Sequence, residues 1–124
     1  MYVVDDHEPV RAGLVELLSR VGGYNVVGSS GSAVDAVRQI VALRPDVAVV
    51  DGHLSDHGGL EVVRALSGEA PEVASVVLTT GVGASWGPVD AAAAGAAAFV
   101  LKSLVDFPLV EVVGRVAAGE RLLT

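Results

Sequence analysis

The sequence predicts an α/β domain in which five parallel strands alternate with five helices and helices cover both sheet faces. Three observations carry this. Short Val-rich runs alternate along the chain with stretches of helical spacing. The runs are almost continuously apolar, which is the pattern of strands buried on both faces. The chain has 124 residues, enough for one domain with one core.

The first strand is Tyr2–Val4, and it stops at the acidic pair Asp5 and Asp6. Val10, Leu14, Leu17 and Leu18 form the apolar stripe of the first helix. The second strand is read at Tyr24–Gly28, inside GGYNVVGSSGS. That stretch is glycine-rich but lacks the Lys pattern of a phosphate loop, so its glycines read as turns. Val34, Val37, Ile40 and Val41 stripe the second helix, with Ser32 or Gly31 as its cap and Pro45 after its end. The third strand, Val47–Val50, runs into Asp51, and Leu60, Val63 and Leu66 mark the third helix. Val73–Thr79 is the fourth strand, Val89–Ala94 an Ala-rich and weakly amphipathic fourth helix, and Ala97–Leu101 the fifth strand. Val105–Ala118 fills the last helical slot. The doubly wound order 2-1-3-4-5 is among the few topologies that right-handed crossovers allow.

Composition narrows the function. Hydrophobic content is 52% and mean hydropathy +0.58, yet no apolar run approaches a membrane span. The N-terminus lacks the basic region and long apolar stretch of a signal peptide, so a cytoplasmic location is the default. The absence of cysteine excludes disulfides and thiolate metal sites. A net charge of −7 argues against direct nucleic-acid binding, which needs clustered Lys and Arg.

Two adjacent carboxylates at a strand end repel one another unless something positive lies between them. In a sheet of order 2-1-3-4-5, ligands bind at the C-terminal strand ends near strands 1 and 3. Asp5, Asp6 and Asp51 therefore meet there. Mg²⁺ suits such a site, because it takes a few carboxylates, waters and phosphate oxygens. Asp6 and Asp51 can ligate directly. Asp5 can act through a bound water or as the second carboxylate, and the backbone carbonyl of His53 can complete the set. Thr79 ends strand 4 and Lys102 follows strand 5, so a hydroxyl and an ammonium reach the same rim. Asp51, central among these groups, is the candidate nucleophile for forming an aspartyl-phosphate. His7, His53 and His57 show no regular zinc-ligand spacing.

These residues, with the phrases VDDHEPVRAGL, RPDVAVVDGHL, GGLEVVRAL and AAGAAAFVLKS, resemble the receiver domain of two-component response regulators over the whole chain, 1–124. The likeness is strongest to the subfamily whose receiver precedes a LuxR-type helix-turn-helix, particularly actinobacterial members. The final GERLLT resembles the point where such receivers give way to a linker. The resemblance implies a flavodoxin-like (βα)5 fold and phosphoryl transfer to Asp51 from a sensor histidine kinase with Mg²⁺. It also implies a switch in which Thr79 moves toward the phosphate and the strand-5 aromatic, Phe99, moves inward. The surface of helix 4, strand 5 and helix 5 then changes to control dimerisation or an output domain beyond residue 124. Such a domain is no enzyme in the usual sense: it only assists its own phosphorylation and dephosphorylation. Ser55 stands where the family usually has Pro, Gly58 where it often has Asp or Asn, and GVGASWGPV replaces its usual aromatic and acidic phrase. These departures favour an alternative, a degenerate receiver serving as a phosphorylation-independent interaction or dimerisation module. The apolar stretch Leu104–Val113 offers a possible homodimer face. A phosphatase built on a strand-end aspartate is a third reading, but His53 takes the place of its usual general acid and there is no cap insertion.

Overall fold

The computed structural model describes residues 1–54, 58–79, 87–102 and 108–123. Five parallel strands, β1 (Tyr2–Val4), β2 (Gly28–Ser30), β3 (Val47–Asp51), β4 (Ala74–Thr79) and β5 (Ala98–Leu101), form one sheet in the order β2-β1-β3-β4-β5. Between and after them run α1 (Glu8–Glu16), α2 (Ala33–Leu43), α3 (Gly59–Glu69), α4 (Pro88–Ala94) and α5 (Pro108–Ala117). This is the flavodoxin-like arrangement that the alternation of segments predicts.

Apolar side chains point both ways from the sheet, as continuous apolar strands require. On one face Val3, Val47, Val49, Val76, Leu78 and Val100 pack with Leu14 and Leu18 and with Leu109, Val113 and Val116 of α5. On the other, Tyr2, Val4, Ala48 and Val50 meet Ala33, Ala36 and Ile40 of α2 and Val62 and Leu66 of α3. Val77 and Phe99 extend that face toward Ala91 and Ala94 of α4. Leu109 and Val113, in the stretch read as a dimer face, are buried in the core; residues 104–107 of that stretch lie outside the described residues.

Two expectations shift. The second strand is Gly28–Ser30, not Tyr24–Gly28. A side chain at Gly28 would place its Cβ 2.8 Å from the ring of buried Tyr2, so the register selects a glycine there. Tyr24 serves elsewhere: its hydroxyl donates to the Val110 carbonyl of α5 at 3.0 Å. Val34 is also turned outward at 59% exposure, and α2 buries the small Ala33 and Ala36 beside Ile40 instead. Ser32 caps α2, its Oγ accepting from the Asp35 amide at 3.3 Å. Helix α1 continues as a wider turn, Leu17–Val21, closed by Gly22 N–H to the Leu17 carbonyl.

The last described residues lie at the foot of the sheet. The amides of Leu122 and Leu123 both donate to the Ala97 carbonyl, at 2.7 and 3.2 Å. Leu122 packs against the core on one sheet face and Leu123 against the core on the other.

Candidate functional site

Because every strand is parallel, all the C-terminal strand ends lie along one rim. Val4 is in register with Val50, which sets Asp5 and Asp6 beside Asp51. Asp51 is in register with Leu78, so Thr79 stands one residue further out, level with Leu101 and next to Lys102. Asp5, Asp6 and Asp51 each offer an oxygen, and these oxygens all lie within 4.8 Å of one another.

Asp5 is wholly buried and Asp51 nearly so. Asp5 Oδ1 accepts the His7 amide at 2.9 Å, and Asp51 Oδ1 accepts the His53 amide at 3.1 Å. Lys102 Nζ lies 3.1 Å from Oδ2 of both residues. Its better-directed hydrogen bond is to Asp51; at buried Asp5 Oδ2 it acts as a close ion-pair partner. One ammonium shared by two buried carboxylates, with Asp6 beside them, leaves net negative charge at the rim that a further cation would offset. The donor set is all oxygen and anionic, which suits a hard divalent ion such as Mg²⁺.

The electrostatics agree. Burial pushes the Asp51 carboxyl above its ordinary range; the His53 amide and Lys102 pull it down, and the Asp5 charge adds to the rise. Burial alone would lower the Lys102 ammonium, but bonding and attraction to Asp51 and Asp5 outweigh it and hold the group up. Lys102 therefore stays cationic, while Asp51 gains from any added positive charge.

The structure thus brings Asp5, Asp6, Asp51, Thr79 and Lys102 to one rim. His53 is there too, exposed, with its backbone paired antiparallel to Gly58. Its imidazole, given no part in the sequence reading, reaches Thr79: Nε2 lies 3.4 Å from Oγ1. Phe99 is half-buried on β5, among the α3 and α4 side chains. Ser55, His57, Thr80 and residues 81–86, Trp86 included, lie outside the described residues. Sequence reasoning missed Gly59. A Cβ there would fall 2.1 Å from the Asp51 carbonyl oxygen and 2.6 Å from Gly52 Cα, so only glycine lets α3 start against the strand end. The paired glycines of GGLEVVRAL were its visible trace.

The model of the response regulator receiver domain matches residues 1–113. The chain belongs to this receiver family. The DNA-binding transcriptional activator DevR/DosR of Mycobacterium tuberculosis is 40% identical over 123 residues, covering 99% of this chain and 56% of that protein. The receiver spans little more than half the length of the curated relatives it matches. A two-component response regulator of the LuxR family from Aurantimonas sp. SI85-9A1 superposes with a TM-score of 0.86 at 32% identity, over 97% of this chain and 85% of that one. A response regulator protein from Burkholderia pseudomallei, solved with a phosphorylated aspartic acid, calcium ion and citrate, gives a TM-score of 0.78 at 26% identity, over 94% and 67%. Receivers are signalling domains of two-component systems rather than classical enzymes, and phosphorylation-dependent switching is their general kind of activity. No helix among the described residues is long and apolar enough to cross a membrane.

Proposed function

We propose that this receiver, residues 1–124, accepts a phosphoryl group on Asp51 from the phosphohistidine of a sensor histidine kinase and passes the change to an output domain. The observation that carries this is Asp51 itself: nearly buried, held at Oδ1 by the His53 amide and bonded at Oδ2 by Lys102. One carboxylate oxygen attacks phosphorus, the P–N bond to the donor imidazole breaks, and its electron pair leaves with that imidazole. Hydrolysis of the aspartyl-phosphate then restores the carboxylate and releases phosphate.

Asp5, Asp6, Asp51 and the His53 carbonyl would hold Mg²⁺, which when bound supplies charge neutralisation for the phosphoryl oxygens. Lys102 places a fixed ammonium between Asp5 and Asp51 and neutralises charge from the protein side. Thr79 presents a buried hydroxyl at the same rim, beside His53 Nε2, and we assign it the contact to the phosphoryl group. Its turn toward phosphate is the proposed trigger. Phe99 is the proposed follower on β5, and the surface of α4, β5 and α5 the proposed readout, where Val89 and Leu101 are exposed. Homodimerisation through that surface, a DNA-binding output domain and a cytoplasmic location complete the reading. The calcium ion and phosphorylated aspartic acid of the Burkholderia pseudomallei structure support it.

The test is an intact mass after incubation with Mg²⁺ and an acyl phosphate. One added phosphoryl group, absent without Mg²⁺ and absent in Asp51→Asn, is the expected result. No gain, with Mg²⁺ demonstrably bound, would favour a receiver that works as a phosphorylation-independent interaction module.

A further inference from the structure

Most described arginine ion pairs of the chain are made at the surface with a nearby carboxylate: Arg20 with Glu16, Arg38 with Asp35, Arg44 with Glu72 and Arg115 with Glu120. Arg11 behaves differently. From α1 it reaches back to the end of β1, where its Nη1 donates to the backbone carbonyl of Asp5 at 2.9 Å. The guanidinium lies against Gly31, in the turn that follows β2. A Cβ on residue 31 would come within 2.7 Å of Nη1, 3.5 Å of Asp6 Cα and 3.6 Å of the Asp5 carbonyl oxygen. Gly31 is not among the glycines with positive φ, so its backbone does not demand glycine. The missing side chain makes room for the arginine.

We propose that Arg11, seated on Gly31, is a positioning residue for the cation site: it fixes the Asp5–Asp6 turn so that both carboxylates face Asp51. The proposal rests on the metal reading given above. Asp5 is otherwise held by its amide to the Ser30 carbonyl at 3.1 Å, by the His7 amide on Oδ1 and by the Lys102 ammonium at Oδ2. The His7 bond closes the turn across Asp6 through the Asp5 side chain, but none of these contacts holds the Asp5 carbonyl itself. Arg11 closes the frame by gripping the carbonyl between the two acidic residues. Mg²⁺ tolerates little departure from octahedral geometry, so a small tilt of this turn is felt directly in affinity. Groups that orient ligands without touching the metal are commonly worth about 10–100-fold in affinity.

The charge on Arg11 acts in the opposite sense, because a nearby cation repels Mg²⁺. The two roles therefore predict opposite signs. The experiment is Mg²⁺ titration by calorimetry of the 124-residue chain and of Arg11→Ala, Arg11→Lys and Gly31→Ala, with metal-free thermal melts of each. Arg11→Ala is expected to bind Mg²⁺ about tenfold more weakly. Gly31→Ala keeps the charge, displaces the guanidinium with one methyl group and is expected to lose a similar factor with its metal-free melt unchanged. Arg11→Lys keeps a donor without the rigid fork and should fall between. Equal or tighter binding by Arg11→Ala overturns the proposal. So does a set of variants that melt lower without metal but keep their affinity, since that marks a plain brace. A wild-type chain that binds no Mg²⁺ overturns the metal reading itself. Failure to phosphorylate with Mg²⁺ binding intact overturns the acceptor role of Asp51 and leaves the arginine assignment standing.

Discussion

The two ends of the sheet use charge in opposite ways. At the foot, Arg44 pairs with Glu72, and Arg115 with Glu120 at 3.1 Å. These side chains are about half exposed; the Glu72 carboxyl is lowered by a backbone hydrogen bond and then by Arg44, and the Glu120 carboxyl by its bond to Arg115. At the rim, Asp5 and Asp51 are buried, two carboxylates share one lysine, and Asp51 is pushed upward by burial. Charges at the foot are solvated and cheap, and contribute little to stability. Charges at the rim cost folding energy and are kept for what they do, which is how functional sites commonly differ from the rest of a fold.

The largest test of that contrast is Lys102→Ala. It leaves two buried carboxylates uncompensated and should cost about 3 kcal/mol by urea denaturation in metal-free buffer. Combining it with Asp51→Asn should recover much of the loss, since the two positions share one interaction. Gly59→Ala comes next. Its methyl group meets backbone rather than a movable side chain, and about 2 kcal/mol of lost stability is expected, together with impaired phosphorylation in the mass assay.

Asp51→Asn sharpens the comparison through pH. The Asp51 pKa is raised in the fold, so between its unfolded and folded values the native state holds more protons than the unfolded chain. Stability from this group is therefore full at low pH and falls as pH rises through the folded value. In metal-free buffer the melting temperature of Asp51→Asn should gain on the wild type as pH climbs through that window, then run parallel to it above. A constant offset at all pH values would mean that Asp51 carries its charge without penalty. Arg44→Gln, at the foot, is the smallest: its melting temperature should stay close to the wild type, with or without salt.

Much of this was legible in the letters. VAVVD reads as a buried strand ending in an acid because its neighbours on both faces are helices, so no polar alternation interrupts the run. Asp5, Asp51, Thr79 and Lys102 were found by their places at strand ends, which parallel topology alone brings together. What escaped depended on contacts between distant segments. The position of β2 is decided by the ring of Tyr2 against Gly28, and the outward turn of Val34 by which side of α2 can come close to the sheet. Gly59 matters because of a carbonyl eight residues earlier, and Arg11 because of an absent side chain at Gly31. No period in the sequence encodes such approaches.

The shared hydrogen bond from Leu122 and Leu123 to Ala97 also has a practical consequence for engineering. Ala97 stands at the foot of β5, and Lys102 follows its far end. Four strand steps separate Ala97 from Leu101, roughly 13 Å of rise. A fluorescent protein or surface anchor fused behind this segment would start from the face opposite the acidic rim. Phosphodonors, chelators and a kinase would then approach an unobstructed rim. The two leucines, packed one on each side of the sheet, tie this segment to the core.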